Sequence, residues 1–356
     1  MLSQAGEGFE VIPTKEEFPM PYTRDVSIVI ATRNRAESLR TTIVSIHTQV
    51  RRGPSAEMVV VDNGSSDATQ QVLQQMGKKL EMITLYESSP GKSRSLNRAL
   101  EVVRGELLVF TDDDVTVSNY WIPNLYEASR KYPQAKIFCG PIIPKFPAGA
   151  PARLCNHSYF TALFGAFLPK LEEGPLPMNL VPFGANFAVR AETAIQQRFR
   201  LDLGPSDVNG HMFHEDTDFI SRLRKKSGDI IFVPPAYVVH RVTKEQIEHP
   251  SLCERAFYHG RDRVLDVKRP LFLHSTFALS GMPPDSAETR RKEQEILLNF
   301  YYGQQYQLWR EDIHEFDAKF NTAYAELEAD NKHSIAAPAQ PMHNSHIIGS
   351  AKAASN

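Results

Sequence analysis

Carboxylates gather at three places in this 356-residue chain, and each is a place where chemistry could be done. Asp112, Asp113 and Asp114 stand side by side after the apolar run LLVFT. Three adjacent carboxylates repel one another, and each raises its neighbours' pKa unless a cation compensates. Side chains alternate along an extended chain, so Asp112 and Asp114 are expected to face the same way. Such a pair of hard oxygen donors suits Mg2+ or Mn2+, which leave further positions to water and phosphate. A solvated acidic turn would have the same composition. The position after a buried strand favours a ligand site, because open α/β sheets bind ligands at that edge.

A second acid, Asp62, closes the run EMVVVD and precedes the turn Asn63-Gly64-Ser65. A carboxylate there either serves the turn alone or accepts hydrogen bonds from a ribose or a base N–H. The third cluster, Glu215, Asp216 and Asp218, opens EDTDFISRLRKK. Acids in a first helical turn complement the helix dipole; the functional alternative is that one of them is a general base. His211 and His214 lie just before, without the HExxH pattern of a helical zinc site. His240 ends AYVVH, where a histidine is either structural or, at a metal edge, a nitrogen ligand.

The elements that must position these groups follow from hydrophobic periodicity. VSIVIAT is apolar and β-branched, as a strand covered on both faces should be. Leu39, Ile43 and Ile46 then recur at helical spacing. EMVVVDNGSSD repeats the strand–turn–helix scheme, ITLYE and SRSLNRALEVV repeat it again, and LLVFT runs into the acids. This rhythm predicts an α/β fold with an open, mostly parallel sheet and helices on both faces. Later, KIFCG, NFAVR and DIIFVPP read as short strands, EDTDFISRLRKK as a helix, and 141–182 as a Pro-rich irregular stretch. The expected organisation is an N-terminal arm (1–24), an α/β domain (25–248), a helical C-terminal extension (249–330) and a disordered tail (331–356).

Composition excludes other classes. Lys+Arg 40 against Asp+Glu 42 leaves a net charge of −2, so nothing argues for a general nucleic-acid binder. No apolar run reaches the roughly 18 residues that would span a bilayer, and the acidic start is no signal peptide. The 3 cysteines form no CxxC pair, which predicts no disulfide framework and a reducing cytoplasm. Gly91-Lys92-Ser93 imitates the end of a Walker A loop, but Tyr86 stands where the loop's first glycine belongs. GxGxxG is absent.

Taken in order, VSIVIATRNRAESL, VVVDNGSSD, SPGKSRSLNRAL, FTDDDV, GANFAVR and EDTDFISRL followed by His240 resemble family 2 glycosyltransferases of the GT-A fold. The resemblance implies that Thr32, Arg33 and Asp62 hold the nucleotide of an activated sugar, with Lys92 nearby. Leu96 stands where many members have an arginine, which leaves diphosphate contacts to Lys92 or Arg94. It further implies that Asp112, Asp113 and Asp114 face the donor, with Asp112, Asp114 and His240 about the Mn2+ or Mg2+ ion. Asp216 becomes the base, with Glu215 beside it, and Phe183, Gly184 and Asn186 the floor between donor and acceptor. The expected donor is a UDP-sugar, and the acceptor a sugar, glycan or lipid-linked saccharide met in the cytoplasm or at the inner face of the membrane. QxxRW is missing; CERAFYHGR occupies a comparable place and offers Arg255 or Arg261. One inverting transfer per encounter is the expectation, in place of processive synthesis. The rivals are an inactive nucleotide-binding protein of the same fold and a sugar nucleotidyltransferase. The latter should open with a GxGTRL-like loop, where this chain has ATRNRAE.

Overall fold

The computed structural model describes residues 22–50, 53–78, 80–156, 158–206, 214–267 and 287–310. Most of the expected arm, His211 and the expected tail lie outside the described residues. The first half alternates as its periodicity dictates: β1 (Arg24–Thr32), α1 (Ala36–Val50), β2 (Ala56–Asp62), α2 (Thr69–Gly77), β3 (Met82–Tyr86), α3 (Lys92–Ala99) and β4 (Gly105–Thr111). Leu39, Ile43 and Ile46 of α1 are wholly buried, as their spacing requires.

The second half is less regular in sequence and in structure. It runs through β5 (Val115–Val117), α4 (Trp121–Lys131), β6 (Ile137–Cys139) and β7 (Ile142–Lys145). Next come α5 (Ala152–Asn156), α6 (Ser158–Ala162), β8 (Gly174–Pro175), β9 (Phe187–Arg190) and α7 (Ala191–Ala194). It closes with α8 (Glu215–Ser227), β10 (Ile230–Phe232), β11 (Val238–Arg241), α9 (His249–Val267) and α10 (Ala287–Arg310). The Pro-rich stretch therefore holds β7, two single-turn helices and β8, each too short to leave a periodic signal.

The large sheet has the order β3-β2-β1-β4-β9-β6-β10-β8. β3, β2, β1 and β4 are parallel, β9 runs against both its neighbours, and β10 is parallel to β6. The chain moves outward from β1 to β3 and then returns across β1 to β4, which makes the β1/β4 boundary the switch point where such sheets open a crevice. Register levels the strand ends: Thr32 lies beside Asp62, and Ile30 beside Thr111. A smaller sheet, β5-β11-β7, stands over that edge, with His240 paired to Val115.

Packing fixes the edge from below. The Phe110 ring stacks on Phe187 at 4.6 Å, and Phe199 stacks on Phe219 at 4.0 Å. These four rings tie β4, β9 and α8 into one core, and each buried ring is worth roughly 2–3 kcal/mol. A second cluster joins Leu154, Phe160 and Phe164 to Leu252, Ala256 and Phe300. There α9 and α10 cross closely through glycine. A Cβ on Gly260 would lie 1.9 Å from the Phe300 carbonyl oxygen, and one on Gly303 1.8 Å from that of Phe257.

Candidate active site

A cleft of about 860 Å³ opens at the carboxyl ends of β1 and β4. Thr32, Arg33, Lys92, Asp112, Asp113, Asp114, Glu215, Asp216 and His240 all line it, as do Phe183 and Gly184. Six stretches of chain far apart in sequence thus meet in one cavity.

The acid triplet is a turn, not an extended run, because β4 ends at Thr111 and β5 begins at Val115. The expected alternation therefore fails, and the three acids part company. Asp112 Oδ1 accepts from Lys92 Nζ at 2.9 Å. Asp113 Oδ2 accepts from Thr32 Oγ1 at 2.6 Å, and its Oδ1 faces the Arg35 guanidinium at 3.3 Å. Asp114 Oδ2 is bonded to Arg35 and lies 3.3 Å from His240 Nε2. Burial pushes the Asp113 carboxyl up, against the pull of Arg35. Burial opposes ionisation of Asp114 too, but His240 and Arg35 outweigh it and hold that carboxyl well below its ordinary range. The turn itself is held from behind: Ser38 Oγ and Thr42 Oγ1 both donate to the Asp113 carbonyl, and Arg241 donates to Ser38, Thr42 and Thr116.

Asp114 and His240 suit a divalent cation. His240 Nδ1 sits 2.8 Å from the Phe164 carbonyl, which can only accept, so Nδ1 carries a proton. In the neutral ring, Nε2 then turns a lone pair toward the Asp114 carboxylate. Two acceptors 3.3 Å apart need a proton or a cation between them. The same carbonyl contact is how a protein orients a metal-binding imidazole. Asp112 is not part of that pair: it belongs to Lys92, and its oxygens do not join Asp114 and His240 in any set of three ligand atoms within 4.8 Å among the described residues.

Lys92 links the two acid clusters. Its Nζ lies 2.9 Å from Asp112 Oδ1 and 3.0 Å from Glu215 Oε1. Burial alone would lower the ammonium's pKa, but the two acids reverse that and raise it well above its usual value. Glu215 is 3% exposed; burial pushes its carboxyl up, with Lys92 opposing. That pairing engages the Glu215 carboxylate with Lys92. Asp218 leaves the site altogether, pairing with Arg222 at 2.8 Å. Among the described residues, Asp216 is the acid of the cluster presented to the cleft without a cationic partner at hydrogen-bond range. Its Oδ2 accepts from the Gly184 N–H and its Oδ1 from the Thr217 N–H at 2.7 Å. Gly184 makes this approach possible, since a Cβ there would lie 2.4 Å from Asp216 Oδ2.

Other expected residues sit elsewhere. Asp62 is 1% exposed and does not itself line the cleft; its Oδ1 accepts from the Ser65 N–H at 3.0 Å, and its Oδ2 has no partner. Asn63 beside it does line the cleft and pins the β3–α3 loop through Glu87, Ser89 and Gly91. Arg94 lies outside the cleft, on a second hollow of about 430 Å³ with Tyr86 and Arg98. Asn186 is a clamp and not a floor: fully buried, it donates to Pro141 and Ala236 and accepts from Trp121 Nε1. Arg255 reaches the cleft from α9, its guanidinium 5.0 Å from the Phe164 ring centre, whereas Arg261 does not line it. Sequence reasoning missed Arg35 and Arg241. Arg35 was visible only as the second arginine of ATRNRAE, and Arg241 only as the neighbour of His240.

Residues 27–187 match the family described as glycosyl transferase family 2. A succinoglycan biosynthesis protein, ExoM, of Rhizobium meliloti is 26% identical over 243 residues, covering 67% of this chain and 74% of that protein. A glucosyl-dolichyl phosphate glucuronosyltransferase of Haloferax volcanii is 23% identical over 262 residues, 69% of this chain and 78% of the other. Among solved structures, the mannosyltransferase PcManGT of Pyrobaculum calidifontis, in complex with GDP-Man and Mn2+, superposes with a TM-score of 0.51 at 17% identity over 87% of this chain and 81% of its own. The strand order, the acid-bearing edge of β4 and these likenesses agree: the chain has the GT-A fold, and its residues 27–187 carry the match to the family 2 glycosyltransferases.

Proposed function

We propose that the chain moves one sugar from a UDP-sugar to an acceptor hydroxyl, inverting the anomeric carbon, with the aid of Mn2+ or Mg2+. The observation that carries this reading is the division of labour among carboxylates on one cleft. Asp114, with His240, occupies the β4 edge, while Asp216 projects from α8 beside Gly184 with no cationic partner among the described residues. Asp114 and His240 are the groups that would hold the ion, which when bound neutralises charge gathering on the departing nucleoside diphosphate. Arg33 and Lys92 line the same donor end, with Asn63 beside them at the end of β2.

Asp216 would take the proton from the acceptor hydroxyl as that oxygen attacks the anomeric carbon. The two backbone N–H groups fix the orientation of the carboxylate and leave lone pairs free to accept. Attack from the face opposite the leaving group gives inversion in a single displacement, through an oxocarbenium-like transition state. The relatives named for succinoglycan biosynthesis and for glucuronosyl transfer favour a growing glycan or lipid-linked saccharide as acceptor. No helix among the described residues is long and apolar enough to cross a membrane, which favours single transfer over chain extrusion. The test is release of nucleoside diphosphate from a panel of nucleotide-sugars with and without Mn2+. Mn2+-dependent release of UDP, lost in Asp114→Ala, is expected; release indifferent to both Mn2+ and Asp114 would defeat the reading.

A further inference from the structure

Away from the cleft, a histidine, a cysteine and a glutamate converge where α9 meets α10. His249 opens α9 and Cys253 follows one turn later, so the two side chains share a face of the helix. Glu295 reaches them from α10. His249 Nε2 lies 2.9 Å from Glu295 Oε2 and 3.6 Å from Cys253 Sγ, and the three ligand atoms all fall within 4.8 Å of one another. No other group of three such ligands is this close among the described residues.

These separations are those of a tetrahedral zinc site. With Zn–S near 2.3 Å and Zn–N near 2.05 Å, adjacent tetrahedral ligands stand about 3.6 Å apart; with Zn–O near 2.0 Å, N and O stand about 3.3 Å apart. The sulfur–nitrogen spacing already matches, and the nitrogen–oxygen pair needs to open by only a few tenths of an ångström. One imidazole nitrogen faces both partners, and it can give its single proton to just one of them. A cation would satisfy all three. Thiolate, imidazole and carboxylate together select a borderline-soft ion of the zinc type over Mg2+ or Mn2+, and the two negative ligands balance its charge. Glu295 is more than half exposed, so the fourth position opens to water. Cys253 packs against the buried cluster of Leu252, Ile296 and their neighbours, so the inner side of the site is dry.

We infer that His249, Cys253 and Glu295 form a zinc site that clamps the first turns of α9 to α10. The inference stands apart from the proposed transfer reaction. Its consequence for the cleft is positional: Ser251, Glu254, Arg255 and Tyr258 line the cleft from the same helix, on faces turned away from the clamp. A metal-free cysteine thiol is protonated at neutral pH. Metal binding then forms the metal–sulfur bond as the thiol proton passes to solvent, one proton per ion.

The probe is Co2+ titrated into chelator-stripped full-length protein. A near-ultraviolet sulfur-to-cobalt charge-transfer band should rise to saturation at one equivalent, vanish on adding Zn2+, and survive in Asp114→Ala. It should be absent from Cys253→Ser and at least tenfold weaker in apparent affinity in Glu295→Gln, with both variants folded by circular dichroism. Zn2+ should also slow alkylation of Cys253 at least tenfold and release about one proton per ion in weak buffer. No band at stoichiometric Co2+, a band that persists in Cys253→Ser, or unchanged alkylation with Zn2+ would each overturn the inference.

Discussion

The position of a carboxylate within the cleft decides its use more than its membership of a motif. Asp112, Asp113 and Asp114 are sequence neighbours, yet one belongs to Lys92, one to Thr32 and Arg35, and one to Arg35 and His240. Asp114→Ala should abolish divalent-dependent donor binding, read by calorimetry, in a protein that stays folded by circular dichroism but loses stability in urea, because Arg35 and His240 lose a buried partner. Lys92→Met strips a 3%-exposed Glu215 of its cation and should cost about 2–3 kcal/mol, since leaving a buried charge unpaired is costly and Lys92 is only partly buried. Adding Glu215→Gln to Lys92→Met should restore most of that loss in urea unfolding; no restoration would mean that the pair is not what Lys92 stabilises. The identity of the acids was legible in the sequence, because each ends a strand or opens a helix. Their partners were not, because Arg35, Thr32 and Lys92 are brought to them from 20 to 81 residues away, and no local pattern encodes that.

At the level of elements, the βα repeats from β1 to β4 were legible because buried parallel strands must be apolar throughout and amphipathic helices must keep one face apolar. Two features were hidden. The acid turn breaks β4 before the alternation rule can apply, and β11 finds its place only by pairing with β5 and β7 across the chain. That ladder is what sets His240 beside Asp114, and the Arg241 N–H bonds to the Asp114 carbonyl at 2.9 Å. The contact between the Phe183-Gly184 loop and α8 is equally non-local. Gly184→Ala would force Asp216 off its backbone N–H, because the new Cβ would lie 2.4 Å from Oδ2. Transfer should fall by roughly 10²-fold, the cost of misplacing a reacting group by about 1 Å, with donor affinity kept. Gly303→Ala, at the α9–α10 crossing, should instead cost about 1–3 kcal/mol of stability through overpacking. Thermal unfolding beside acceptor KM would separate the two effects.

Over the whole molecule, the cleft draws on the β1–β4 edge, the small sheet with His240, the 162–165 segment, the loop and helix that carry Gly184 and Asp216, and α9 with Arg255. The α9–α10 pair shares a core with 154–164, and α9, expected as part of an extension, is also a wall of the site. Their helical character was readable from spacing; their place was not, since it rests on the Gly260–Gly303 crossing and on aromatic contacts such as Tyr159 with Phe300. In the proposed reaction, donor holding and proton removal fall to different carboxylates of one cleft. The direct measurement is transfer rate beside donor affinity for Asp216→Asn, with Mn2+ saturating and Asp114→Ala in parallel. Asp216→Asn should bind the UDP-sugar as the unaltered protein does and transfer it about 10²–10⁴-fold more slowly, the usual cost of losing a general base; Asp114→Ala should fail at binding. Near-normal transfer by Asp216→Asn, or equal loss of donor affinity in both variants, would contradict the account.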